Sequence, residues 1–81
     1  MSTKTVIITG ASSGIGFAIA RAYLQRGDNV VANARTLERL QAAAGQLGQP
    51  ANLLLVPGDV AEPATAQRLV AAAVERFRQV D

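Results

Sequence analysis

The residues with the clearest chemical capacity stand together near the start of the chain, in Thr9-Gly10-Ala11-Ser12-Ser13-Gly14-Ile15-Gly16. Three glycines at this spacing suit an anion. Gly10 lets the chain turn sharply off a preceding strand. Gly14, without a side chain, lets backbone approach a phosphate closely. Gly16 allows a following helix to pack tightly against the sheet. The unpaired N–H groups of that helix's first turn, and its dipole, then favour negative charge. Ser12 and Ser13 add hydroxyl donors. The other common phosphate cradle, the P-loop, needs a lysine and a Ser/Thr directly after its last glycine. Here Gly14 is followed by Ile15 and Gly16 by Phe17, which excludes it.

Little else in the chain is equipped for chemistry. It has 81 residues and neither histidine nor cysteine. The commonest general base, the serine–histidine triad and thiolate zinc sites are therefore ruled out, and no metal site is expected. Phe17, Phe77 and Tyr23 are the only aromatic residues, too few to stack single-stranded nucleic acid. The net charge of +2 comes from basic residues interleaved with acids, so small anions are better partners than nucleic acid. No stretch approaches the roughly 20 apolar residues of a membrane span. Met1-Ser2-Thr3-Lys4 leads straight into an apolar run without the layout of a signal peptide, which sets the expected location as cytoplasmic.

The elements that must position the glycine turn follow from texture. Apolar residues make up 49% of the chain and charged residues 17%, the balance of a folded domain. Three short apolar runs, Val6-Ile7-Ile8, Val30-Val31-Ala32 and Leu53-Leu54-Leu55-Val56, do not alternate with polar residues. Such runs suit strands covered on both faces. Each precedes a stretch with helical spacing: Ile15, Ile19, Ala22 and Tyr23; then Leu37, Leu40, Ala44 and Leu47; then Ala66, Leu69, Val70, Ala73, Val74 and Phe77. Gly27 closes the first helix, Thr36 caps the second, Gly48 and Pro50 end it, and Pro63 opens the third. The order β-α-β-α-β-α predicts an α/β fold, a three-layer parallel sheet with right-handed crossovers.

On these residues the chain resembles the short-chain dehydrogenase/reductase family. TGASSGIG is similar to that family's TGxxxGxG cofactor motif. Asn33-Ala34-Arg35 falls at the end of the second strand, where the family chooses between cofactors. Gly58-Asp59-Val60 follows the third, where the family contacts adenine. The resemblance implies a Rossmann-like half of strand order 3-2-1. It also implies a dinucleotide site made of Gly10, Ser12, Ser13, Gly14, Ile15, Gly16, Asn33, Arg35, Asp59 and Val60, with the Asp59 carboxylate on the adenine amino group. Asp59 is also suited to capping the third helix or its preceding turn, a role that does not exclude the first.

NAD-preferring folds place an acid at the end of the second strand, on the ribose hydroxyls. This stretch has none: Asp28 precedes the strand, Glu38 lies in the next helix, and Arg35 stands at the strand end. A guanidinium suits a 2′-phosphate, so the cofactor expected is NADP(H) ahead of NAD(H). The basic residue that some NADP-type members carry before the second glycine is replaced by Ser13, which leaves Arg35 as the main expected determinant.

The resemblance implies an oxidoreductase acting on a carbonyl or alcohol. Its members work through a YxxxK pair with an upstream serine and an asparagine. Here the only tyrosine, Tyr23, has Gly27 four residues on, and no NNAG motif occurs, so no catalytic residue is assigned. Residues 1–81 are expected to be the N-terminal dinucleotide-binding half, cut before the fourth strand. The alternative is a standalone nucleotide-binding or self-associating module. With the fourth strand missing, the first becomes an apolar edge, and the third helix covers one face alone. A homodimer or larger assembly through these two elements is therefore expected.

Overall fold

The computed structural model describes residues 3–12 and 14–80. Its elements run β1 (Thr5–Thr9), α1 (Gly14–Gln25), β2 (Asn29–Ala34), α2 (Leu37–Gln46), β3 (Leu53–Pro57) and α3 (Pro63–Phe77). The three apolar runs are the three strands. They form one parallel sheet in the expected order, with β2 between β1 and β3. Val6 lies opposite Val30, and Val31 opposite Leu54.

Successive side chains of a strand point to opposite faces, and both faces of this sheet are covered. On one, Ile8, Val30, Ala32 and Ala34 pack with Ala20 of α1 and Leu40 of α2. On the other, Val31 packs with Leu69 and Ala73 of α3, flanked by Ile7, Leu54, Val56 and Phe77. This is a three-layer Rossmann-like half, with the first two helices on one side and the third on the other. Local punctuation holds it in register. Thr36 Oγ1 accepts from the Arg39 N–H at 3.4 Å at the start of α2, Pro63 opens α3, and Gly27 follows α1 with φ +87°.

Two helix faces differ from the sequence expectation. The α1 face against the sheet is Gly16, Ala20, Tyr23 and Leu24, so of the expected Ile15, Ile19, Ala22 and Tyr23 stripe only Tyr23 packs against the core. Ile15 is 80% exposed and Ile19 42%. The cause is Gly16. A Cβ there would collide with the Gly10 carbonyl and come within 3.3 Å of Ala11 Cα, so this side of the helix is seated on the glycine turn. Gly16 therefore packs the helix against that turn rather than against a strand. In α3 the buried row is Thr65, Leu69 and Ala73, with Phe77 partly covered, while Val70 and Val74 face outward. A helix lying over three strands buries one such row and leaves the adjacent apolar one open.

Candidate functional site

In open α/β sheets ligands settle beyond the carboxyl ends of the strands. There the three strand-to-helix turns of this chain converge on a cavity of about 410 Å³. Gly10 and Ser12 come from the turn after β1. Asn33 and Ala34 end β2, followed by Arg35 and Arg39. Gly58, Asp59, Val60 and Ala61 form the turn after β3. The volume lies toward the small end of ligand cavities. A depression of similar size between α1 and α2, around Phe17, Arg21, Leu24 and Leu47, is away from the strand ends and the glycine turn.

Asn33 ties the three turns together. It is buried, and its side-chain amide donates to the carbonyls of Val56 at 3.0 Å and Gly58 at 3.1 Å. Its own carbonyl accepts from the Ala11 N–H at 3.0 Å, and next to it the Ala34 carbonyl accepts from the Gly58 N–H at 2.9 Å. A buried amide with such partners is held in one orientation. Gly58 has φ +150°, and a Cβ there would meet Arg68 and Thr65, so only glycine fits that corner.

The glycine turn is open on its outer side. Gly10 and Gly14 have φ +65° and +62°, and no heavy atom lies within 4 Å of where a Cβ would stand on either. That is the free space a phosphate needs against the backbone and the first turn of α1. The Asp59 carboxylate accepts from the Ala61 N–H at 2.9 Å, so it does cap its own turn. The bond uses Oδ1, leaving Oδ2 for a ligand. Glu62, the N-cap residue of α3, makes no side-chain cap bond.

Of the residues singled out in the sequence, the fold brings Gly10, Ser12, Asn33, Arg35, Asp59 and Val60 to one cavity. Gly14 heads α1 and lines neither that cavity nor the groove along β1. Ile15 and Gly16 line the groove, beside Ile7 and Ile19. Ser13 lies outside the described residues. Sequence reasoning missed Arg39. Its signal was its place one helical turn beyond Arg35, which brings a second guanidinium to the same cavity. Among the described residues the one ion pair joins Arg26 to Asp28 at 3.6 Å, so neither cavity arginine is neutralised by Glu38. The same residues form no cluster of three or more metal-ligating side chains, and no helix long and apolar enough to cross a membrane.

Comparison with known proteins bears on this site. Residues 4–81 match the family described as short chain dehydrogenase. The chain is 48% identical to an L-rhamnose 1-dehydrogenase (NAD(P)(+)) from a Sphingomonas strain, over 96% of this chain and 32% of that protein. It is 37% identical to an NADP-dependent 3-hydroxy acid dehydrogenase of Salmonella typhi, over 94% of this chain and 30% of that one. Among solved structures, L-sorbose reductase from Gluconobacter frateurii, complexed with NADPH and L-sorbose, superposes with a TM-score of 0.87 at 37% identity. That match covers 100% of this chain and 32% of the reductase. A 3-ketoacyl-(acyl-carrier-protein) reductase from Brucella melitensis, complexed with NADH, gives 0.86 at 32% identity, covering 96% and 31%. The chain thus spans about a third of the length of these relatives.

Proposed function

The chain belongs to the short-chain dehydrogenase family, and from that premise we propose that residues 1–81 are the dinucleotide-binding half of an oxidoreductase that uses NADP(H) in preference to NAD(H) on a carbonyl or alcohol substrate. Relatives described with NADPH and with NADH both share the fold, so the fold alone does not select the cofactor. The observation that carries the preference is Arg35, exposed at the end of β2 and lining the strand-end cavity, in a position where an acid would serve a free ribose.

The residues fit the group. The pyrophosphate would cross the open outer face of the glycine turn, on the N–H groups of the first turn of α1 and the Ser12 and Ser13 hydroxyls. Gly10, Gly14 and Gly16 keep that surface free of side chains, and Ile15 continues it toward the β1 groove. The adenosine end would lie against Asn33 and Val60, with Asp59 Oδ2 accepting from the adenine amino group. The bound nicotinamide supplies or accepts the hydride. The proton that accompanies it needs a positioned acid or base, which this segment does not contribute, because Tyr23 packs beside the α1 core. The catalytic step is assigned to elements beyond these residues.

We also propose a cytoplasmic location, in keeping with a chain that makes no use of cysteine, and self-association through the β1 edge and α3. Calorimetric or NMR titration tests the cofactor reading. NADP(H) is expected to bind about tenfold more tightly than NAD(H), and Arg35→Ala to remove most of that difference. Equal affinities for the two in the unmodified chain would overturn it.

A further inference from the structure

We infer that Arg39 is a second specificity-determining residue, closing on the 2′-phosphate from the α2 side so that the anion is held between two guanidinium groups. The inference rests on the NADP(H) reading and adds a residue to it. Arg35 and Arg39 come from different elements, the end of β2 and the first turn of α2, yet line one cavity. The placement of Arg39 is fixed locally: its N–H is bound by Thr36 Oγ1, which anchors the first turn of α2 on the strand end. Among the described residues neither guanidinium is held in an ion pair, although Glu38 stands between them in sequence. The one carboxylate lining the cavity, Asp59, belongs to the turn after β3 and is engaged by the Ala61 N–H.

Charge makes the second arginine consequential. A phosphate monoester carries nearly two negative charges at neutral pH, with a second pKa near 6. One exposed guanidinium neutralises half of that in high dielectric, where a single pair is weak. Two guanidinium groups lining one cavity match the charge and can present planar donor forks to its oxygens. Arg39 would thus supply the second cation that Ser13 does not.

The test compares adenosine 2′,5′-bisphosphate with adenosine 5′-monophosphate, which differ only in the 2′-phosphate, by NMR titration of the 81-residue chain and its variants. Arg39→Ala is expected to weaken the bisphosphate about three- to tenfold and leave the monophosphate unchanged. Arg39→Lys, which keeps the charge but not the planar fork, should restore only part of the loss. Circular dichroism checks that each variant is folded, as expected for changes on an exposed side chain. If Arg35→Ala removes the 2′-phosphate preference while Arg39→Ala leaves it intact, the inference is wrong and the NADP(H) reading stands. If Arg39→Ala weakens both ligands equally, the arginine stacks on adenine or the ribose and the inference is again wrong. If the unmodified chain shows no preference, or binds neither ligand, the NADP(H) reading fails and the inference with it.

Discussion

The side-chain amide of Asn33, at the end of β2, donates a 3.1 Å hydrogen bond to the carbonyl of Gly58, in the turn after β3. The same nitrogen reaches the Val56 carbonyl, while the Asn33 carbonyl receives the Ala11 N–H. One buried residue therefore sets the spacing of the three turns around the strand-end cavity. Asn33→Ala removes both donated bonds and is expected to cost about 1–3 kcal/mol in urea unfolding. Asn33→Asp keeps the volume but turns a carboxylate toward two carbonyl oxygens, so its loss should be at least as large. An unchanged unfolding midpoint in either variant would show that the amide does not tie the turns.

The glycines of the first turn should rank in a definite order. Gly16→Ala drives a methyl group into the backbone of Gly10, 2.8 Å from its carbonyl carbon, where no side chain can swing aside. Gly14→Ala meets open space but forces φ near +62°, a strain of about 1–2 kcal/mol. Gly16→Ala is therefore expected to lower the melting temperature more, and to weaken adenosine phosphates as the turn shifts. The reverse order would mean that conformational strain, not the helix–turn contact, governs the site.

The 2′-phosphate preference should be sensitive to salt. Both cavity arginines are exposed, and the Debye length shrinks from about 10 Å at 0.1 M to about 3 Å at 1 M. The ratio of NADP to NAD affinity is expected to fall steadily over that range. A ratio independent of salt would point to recognition by shape instead of charge.

No steady oxidation of NADPH is expected from the isolated 81-residue chain with any carbonyl substrate. Positioned proton transfer contributes typically 10²–10⁴-fold, and the one tyrosine of the chain packs beside the α1 core. Turnover that scaled with the concentration of highly purified chain would place catalytic groups within these residues.

Self-association is expected at micromolar concentration. Among the described residues β1 pairs only with β2, and the groove along it is flanked by Ile7, Ile15 and Ile19. Ile15 is largely exposed, and Val70 and Val74 form an outward row on α3. Unpaired apolar edges of this kind favour pairing with another chain. Sedimentation should show a dimer or larger species, and Ile19→Lys should shift it toward monomer. A folded monomer with slow amide exchange throughout β1 would show that the edge is closed without a partner.

Elements, their order and the glycine turn were legible in the sequence because each rests on local physics. Runs such as Val30-Val31-Ala32 require two covered faces, Pro63 and Thr36 mark helix starts, and left-handed backbone at Gly10, Gly14 and Gly27 needs residues without a Cβ. Arg35 was legible for a similar reason, since the end of the second strand is a defined place in this fold. What the tertiary structure decided depends on rotation and on convergence between distant turns. Periodicity placed Ile15 and Ile19 on the inward stripe with Tyr23 but could not say that Gly16, seated on Gly10, turns Ala20 inward and leaves the two isoleucines exposed. In the sequence Asn33 belongs to the Asn33-Ala34-Arg35 stretch that resemblance places at the cofactor. Its role as the tie between turns appears only when Val56 and Gly58 arrive beside it. Arg39 is one of several dispersed basic residues in the sequence, and only the turn into α2 brings it to the cavity of Arg35. Local propensity acts within a few residues, whereas the shape of a site is set by which side of each element the core takes.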